Sequence, residues 1–494
     1  MGLPSVRVLV AAAVTLTLGV AGTVQLSAQA VPAASVTNVA TLQPIRLATA
    51  INAARPGTIA NDRGINMGGL GSGLWRTPTD PAGVYWTITD RGPNGQIPVD
   101  GANRRTFPVP DFSPALVKVQ AQGQTLTVLE TLVLTGTSGR PVTGLSNLAG
   151  VDEVPYLYDA QSLATYNQSG LDTEDLVRTP NGDFWTVDEY STSLVRIDST
   201  GKVLRRYVPV GVKLPTADYP VVEALPAIFA KRTPNRGFEG LAITPDSKTL
   251  VLALQSPLRH PTTPIGNASR NTRFLTFDIA TEKVTGEYLY QFQPHTEFGS
   301  APTAAEMKVS ALAAIDATTI LVDERTDPIA KIYRVDLSKA TNILGTRWDD
   351  PATTPALEAL NEASPGGIVA LPKFLVADLG TLPNIPGKIE GLVILSPTSI
   401  AIMNDNDFSF SEKWDAQGNF TDPGVRIQLL TISIPGGFTG VPAPFLVAPA
   451  AAPAPAPAKT GNAGPLPAGS TVPVVAFAIL AVAAVFGSRR LARR

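Results

Sequence analysis

Short apolar runs separated by polar turns organise this chain. Residues 235–257, NRGFEGLAITPDSKTLVLALQSP, hold an apolar run from Leu241 to Ile243, a polar turn at Thr244-Pro245-Asp246-Ser247 and a β-rich run from Thr249 to Leu254. Two such runs about a Pro-Asp turn predict a β-hairpin, with Glu239 at the mouth of its first strand. The pattern recurs. SGLWRTPTDPAGVYWTITDRGPN begins at Ser72, EDLVRTPNGDFWTVDEYSTSLVRID at Glu174, EGLAITPDSKTLVLALQSP at Glu239, SALAAIDATTILVDERTDPIAKIYRVD at Ser310 and EGLVILSPTSIAIMNDNDFSF at Glu390. Each unit opens on Ser or Glu, turns, runs again and closes on a polar cluster, starting at Asp90, Asp188, Gln255, Asp323 or Asn404. Further β-rich segments such as RFLTFDIA and GEYLYQFQ extend the units to three or four antiparallel strands. Such repetition predicts an all-β fold, a β-propeller, with five units recognised and about six blades expected. The alternative is a two-sheet sandwich of unrelated hairpins. The last unit lacks a strand, and QPIRLATAI near the N-terminus is expected to complete it. Segments 136–170 and 345–385 lack the pattern and read as insertions.

The ends follow other patterns. Residues 1–30 carry Arg7, an apolar centre and Ala28-Gln29-Ala30, the features of an export signal peptide. Residues 40–440 form the expected folded body, and residues 441–470 are a Pro/Ala-rich linker suited to a semi-rigid spacer. Residues 471–487 are an uncharged run expected to cross a membrane as a helix, and the basic tail 488–494 is expected to stay cytoplasmic. Leu466 to Ser470, LPAGS, resembles a sortase sorting signal but departs from it at the fourth and fifth positions, which favours a plain membrane anchor. The body is thus expected to be exported and displayed at the cell surface, as a monomer.

Composition narrows the chemistry. The chain has no cysteine and two histidines, which removes disulfides, thiol nucleophiles and zinc–thiolate sites. A formal net charge of -2, with no basic cluster outside the tail, excludes a nucleic-acid-binding field. Neither His260 nor His295 sits in a nucleophile setting, and GGLGSG before Leu74 lacks the Lys-Ser/Thr of a phosphate-binding loop.

DRGPN (Asp90 to Asn94), WTVDEY (Trp185 to Tyr190), NRGFEGLAITPDSKTLVLALQSPL (Asn235 to Leu258), AKIYRVDLS (Ala330 to Ser338) and KIEGLVIL followed by NDND (Lys388 to Asp407) resemble the bacterial family known for the esterase-like activity of phytase. The resemblance runs in order from about residue 60 to 435. It implies an exported β-propeller hydrolase acting on phosphoesters or related small-molecule esters.

Propeller geometry supplies the candidate site. Innermost strands line the central channel, so Glu174, Glu239 and Glu390 should converge at one mouth, with Ser72 and Ser310 in the matching places. Converging carboxylates need a proton or a cation between them, and oxygen-only donors with little histidine favour calcium. Expected metal ligands are Glu174, Glu239 and Glu390, together with Asp188, Asp323, Asn404 and Asp405 from the closing clusters. The alternative is that each glutamate caps its own blade. Arg236 and Lys388 stand beside the acids and would grip an anionic substrate while Glu239 accepts a proton; the alternative for the cations is a rim of salt bridges. A calcium-dependent hydrolase and a surface binding propeller with structural calcium both fit this pattern.

Overall fold

The computed structural model describes residues 33–299, 303–361, 364–409, 414–415 and 418–438. The signal segment, the linker, the apolar run 471–487 and the basic tail lie outside the described residues. Among the described residues no helix is long and apolar enough to cross a membrane.

Each of the five sequence units becomes one blade of a β-propeller. The first blade holds Leu70–Trp75, Val84–Thr89, Ala115–Gln122 and Thr125–Val133, and the second Thr173–Arg178, Phe184–Asp188, Ser193–Ile197 and Val203–Pro209, with Val221–Leu225 added at its edge. The third holds Phe238–Ile243, Thr249–Leu254, Asn271–Asp278 and Lys283–Gln291, and the fourth Lys308–Ala314, Thr319–Arg325, Ala330–Asp336 and Lys373–Asp378. The fifth holds Ile389–Ser396, Ser399–Asn404 and Gln428–Ser433. The inner strand of every blade packs against those of its two neighbours and closes the ring at five, so the expectation of about six blades gives way to five among the described residues. Segment 345–385, read as an insertion, supplies the fourth blade's outer strand.

The fifth blade is completed from the N-terminus, as expected, but by Ser35–Leu42, which pairs antiparallel with Gln428–Ser433. The QPIRLATAI segment instead feeds the helix Leu47–Ala54, whose buried Leu47 and Ile51 lie four residues apart on one face. Alanine-rich sequence favours the helix, whereas the β-branched residues of SVTNVATL favour the strand. Thr41 and Leu42 also pair parallel with Thr125 and Leu126, tying the first and fifth blades at their outer edges.

Continuous apolar runs follow from burial on both sheet faces. In Thr249–Leu254, Leu250, Leu252 and Leu254 pack toward the second blade while Val251 and Ala253 pack toward the fourth. Five apolar clusters fill the five interfaces between blades in this way.

The opening pairs of the units mark the channel. They read Ser72-Gly73, Glu174-Asp175, Glu239-Gly240, Ser310-Ala311 and Glu390-Gly391. In every blade the ladder between the inner strand and its neighbour shifts register at this pair. Such bulges re-aim side chains next to functional sites. The second residue of the pair is small in four blades because the inner strands approach closely there: a Cβ on Gly73 would lie 2.6 Å from Asp175 Cα. Asp175 fills the space so left. Its Oδ2 accepts the backbone N–H of Leu241 (2.9 Å) in the third blade and of Leu312 (3.2 Å) in the fourth, and its Oδ1 that of Leu176 (2.8 Å).

Candidate active site

Above this plug the inner strands open into a cavity of about 580 Å³. Nine carboxylates line it, from Asp90, Asp172, Glu174, Glu189, Glu239, Asp327, Glu390, Asp405 and Asp407, against five cations, Arg91, Arg105, Lys308, Arg325 and Lys388. The excess of negative charge runs round the opening: blades one and two contribute Asp90, Asp172, Glu174 and Glu189 with Arg91, and blades four and five contribute Asp327, Glu390, Asp405 and Asp407 with Lys308, Arg325 and Lys388.

Two groups of carboxylates have oxygens within 4.8 Å of one another: Asp172, Glu174 and Glu189, and Asp90, Asp405 and Asp407. In the first, Asp172 Oδ2 is buried and accepts no hydrogen bond, although Arg91 Nη1 stands 3.5 Å away. Glu189 accepts from Gln255 Nε2 at 2.8 Å, and the Glu174 carboxylate accepts no hydrogen bond among the described residues, its backbone carbonyl alone accepting from Thr186 Oγ1. Burial, and then the charges of Glu239, Asp172 and Glu189, push the Glu174 carboxyl well above the ordinary range. Burial and neighbouring carboxylates do the same to Asp90, Glu189 and Asp405.

Glu239 and Glu390 are held differently. Arg325 lies between them, its Nη2 donating to Glu239 Oε1 at 3.3 Å and to Glu390 Oε1. Ser310, the fourth blade's opening residue, donates to Glu239 Oε1 at 2.6 Å and accepts from Arg325 Nε at 2.7 Å. Glu239 Oε2 remains buried without a hydrogen bond. Asp327 accepts from Lys308 Nζ at 2.7 Å and Arg325 Nη1 at 3.0 Å. Burial opposes ionisation of Asp327, but these cations hold its carboxyl well below the usual range. Lys388 pairs with Asp407 and stands 4.0 Å from Asp405.

Of the expected site residues, Glu174, Glu239, Glu390, Lys388 and Asp405 line the cavity. Asp188, Asp323, Asn404 and Arg236 do not. Asp188 is buried against Arg206 Nη2 (2.6 Å) and Ser193 Oγ (2.6 Å), and Asn404 receives Gln428 N at 2.7 Å and donates to Arg426 O at 3.3 Å. Asp323 is buried with both oxygens unbonded. In the second and fifth blades the cause is strand alternation: the last residue of the second strand faces the blade interior, and its successor faces the cavity; in the fourth, Asp323 and Arg325 share a face, and Arg325 at the strand end is the one that lines the cavity. Glu189 therefore stands where Asp188 was expected and Asp405 where Asn404 was, with Arg325 the cavity-facing member of the fourth cluster. Arg236 turns away and donates to Ser256 Oγ (3.0 Å) and Ala305 O (2.7 Å).

A small sheet of Gly95–Val99, Ala102–Thr106 and Pro155–Tyr156 covers one side of the cavity. Arg105 forks onto Glu153 with two bonds of 3.0 Å, and Arg91 Nη1 reaches the same carboxylate at 3.2 Å. Asn94 Oδ1 receives both guanidinium groups, at 3.1 and 2.8 Å. Asp172, Arg105 and this covering sheet escape the sequence pattern. Asp100-Gly101 between QIPV and NRRT is a hairpin signal, and both residues take positive φ there.

With the geometry established, the chain can be set beside known proteins. A protein-family model described as Phytase-like, esterase-like activity of phytase, matches residues 65–408. The chain belongs to the phytase-like family. The match contains all five opening pairs and every carboxylate of the cavity. A secreted protein of uncharacterised function from Arthroderma benhamiae is 28% identical to this phytase-like chain over 293 residues, 50% of this chain and 57% of that protein; the chain thus matches little more than half that relative's length. Among solved structures, Pseudomonas fluorescens PhoX bound to vanadate is 9% identical, with coverage of 83% of this chain and 99% of that chain and a TM-score of 0.31. The calcium-binding protein regucalcin from Agrobacterium tumefaciens is 11% identical, with coverage of 73% and 89% and a TM-score of 0.29.

The raised carboxyls carry a pH prediction. Burial lifts Glu390 from 4.5 to about 7 against the opposing charges of Arg325 and Lys388. Between those values the folded protein keeps a proton that the unfolded chain has released, so without a bound cation stability falls as pH rises through the window. Thermal unfolding in EGTA should show a melting temperature that declines from pH 4.5 to pH 7, and added calcium should flatten the decline.

Proposed function

We propose that the protein is an exported, calcium-dependent hydrolase of phosphoesters, working in the carboxylate-rich cavity. The observation that carries this reading is the group Asp172, Glu174 and Glu189, whose buried carboxylate oxygens lie within 4.8 Å of one another in the same opening as Lys308 and Lys388. The donor set fits calcium. All side-chain donors are oxygens, neither histidine lines the cavity, and Asp172 Oδ2 and Glu239 Oε2 are buried oxygens lacking a hydrogen bond. Asp172, Glu174 and Glu189 would hold the ion, which supplies neutralisation of phosphoryl charge and a more acidic bound water. Glu390 contributes through Arg325 rather than as a ligand.

The chain's own residues account for the remaining steps. Lys308 and Lys388 grip the phosphoryl oxygens. Arg325 and Ser310 fix Glu239 through Oε1, leaving Oε2 to take the proton of the attacking water. A new P–O bond forms to that water's oxygen, the ester P–O bond breaks, and the alkoxide leaves and takes up a proton from solvent, to which Glu239 releases the one it accepted. The signal-like N-terminus and the secreted relative support export; display at the surface through residues 471–487 is part of the same proposal.

Lys308→Gln should raise KM for p-nitrophenyl phosphate about tenfold, the worth of one charge-assisted hydrogen bond, and leave neutral acyl esters nearly unaffected. Parallel losses on both substrate classes would remove the anion-gripping role.

A further inference from the structure

A second pocket, of about 230 Å³, lies behind one wall of the acidic cavity. Adjacent residues face opposite sides of that wall. Asn235 and Gln255 line the cavity, while Arg236 and Ser256 line the pocket behind it. Arg259 and the hydroxyl-bearing Thr233 and Thr263 also line the pocket. Arg236, half-buried, and Arg259, exposed, form no ion pair with a carboxylate among the described residues. Arg236 spends Nη1 on Ser256 Oγ and Ala305 O, which fixes the guanidinium plane and leaves its Nε and Nη2 without a hydrogen bond.

We propose that this pocket is an accessory anion site that takes a phosphate group. Two guanidinium groups with unspent donors, flanked by the hydroxyls of Thr233 and Thr263 in a small volume, offer a tetrahedral oxyanion paired N–H donors and further O–H donors. A carboxylate lining residue would have neutralised these arginines, and none is present in the pocket. The phosphate is either free or carried by a ligand whose other end enters the acidic cavity across the wall. The proposal does not depend on catalysis in that cavity, since it concerns binding alone.

Calorimetric titration of the purified protein with inorganic phosphate, and separately with a short-chain diol bisphosphate, tests it. Arg259 is exposed, so Arg259→Gln should keep the parent's melting temperature; Arg236→Gln provides the second variant. Each should weaken phosphate binding about tenfold, as expected for loss of one charge-assisted contact. Equal losses for the two ligands assign the site to free phosphate, and a greater loss for the bisphosphate assigns it to a ligand spanning the wall. Absence of phosphate binding to the parent, unchanged affinity in both arginine variants, or a loss confined to Lys308→Gln would overturn the proposal.

Discussion

Replacing Asp175 by alanine should destabilise the protein by about 3 kcal/mol or more, a larger effect than any other single substitution on the channel floor should have. The substitution removes the acceptor for Leu241 N–H, Leu312 N–H and Leu176 N–H at once. Water cannot easily replace it, because Asp175 is 1% exposed and Gly73 and the neighbouring inner strands close over it. The loss should be cooperative across blades, since the carboxylate joins the second blade to the third and fourth. Asp175→Asn keeps one acceptor oxygen and should fall between the parent and the alanine variant. Chemical denaturation of the three proteins checks the order, and equal midpoints would show that the propeller axis is held by its apolar interfaces alone.

The second large effect concerns the carboxylate group of Asp172, Glu174 and Glu189. Changing Asp172 to Asn together with Glu174 to Gln should lower turnover of a phosphoester on the order of a thousandfold, the worth of several kcal/mol of transition-state charge stabilisation. The same variant should lose most of the calcium-dependent rise in melting temperature. In EGTA, however, it should melt above the parent, because burial and mutual repulsion raise the Glu174 carboxyl and relief of that repulsion stabilises the fold. That opposite pair of shifts separates removal of a cation site from ordinary damage to packing. Thermal unfolding with and without calcium measures both.

The propeller was legible in the sequence because its blades repeat a local pattern. The five openings fall on register-shifted pairs; Glu174, Glu239 and Glu390 line one cavity, whereas Ser310 bonds to Glu239 and Ser72 turns back to Gly69 O. The closing clusters were legible only to within a residue or two. Asp188 and Glu189 are neighbours of like character, and one step of strand alternation decides which meets Arg206 and which meets the cavity. Arg325 was visible as a cation near acids, but not as the partner of both Glu239 and Glu390, since those three residues belong to three different blades. Asp172 was hidden because only the second blade places an acid two residues before its opening glutamate; the corresponding residues in the fourth and fifth blades are Lys308 and Lys388. That position brings Asp172, Lys308 and Lys388 into one cavity, and a search for similarity between units passes over it. The closing strand was misplaced by a few residues because helix Leu47–Ala54 is as apolar as the strand beside it.

The central claim is that calcium held by Asp172, Glu174 and Glu189 and an anion held by Lys308 and Lys388 make this cavity a phosphoester hydrolase. Turnover of p-nitrophenyl phosphate by the purified protein, measured in EGTA and again after calcium is restored, tests it most directly. The expected result is activity that is lost in EGTA, returns with calcium and is absent from Glu239→Gln in both conditions. Undiminished activity in EGTA would contradict the claim, as would no activity at a calcium concentration that saturates the rise in melting temperature; the second outcome would leave a calcium-stabilised propeller whose cavity binds without catalysing.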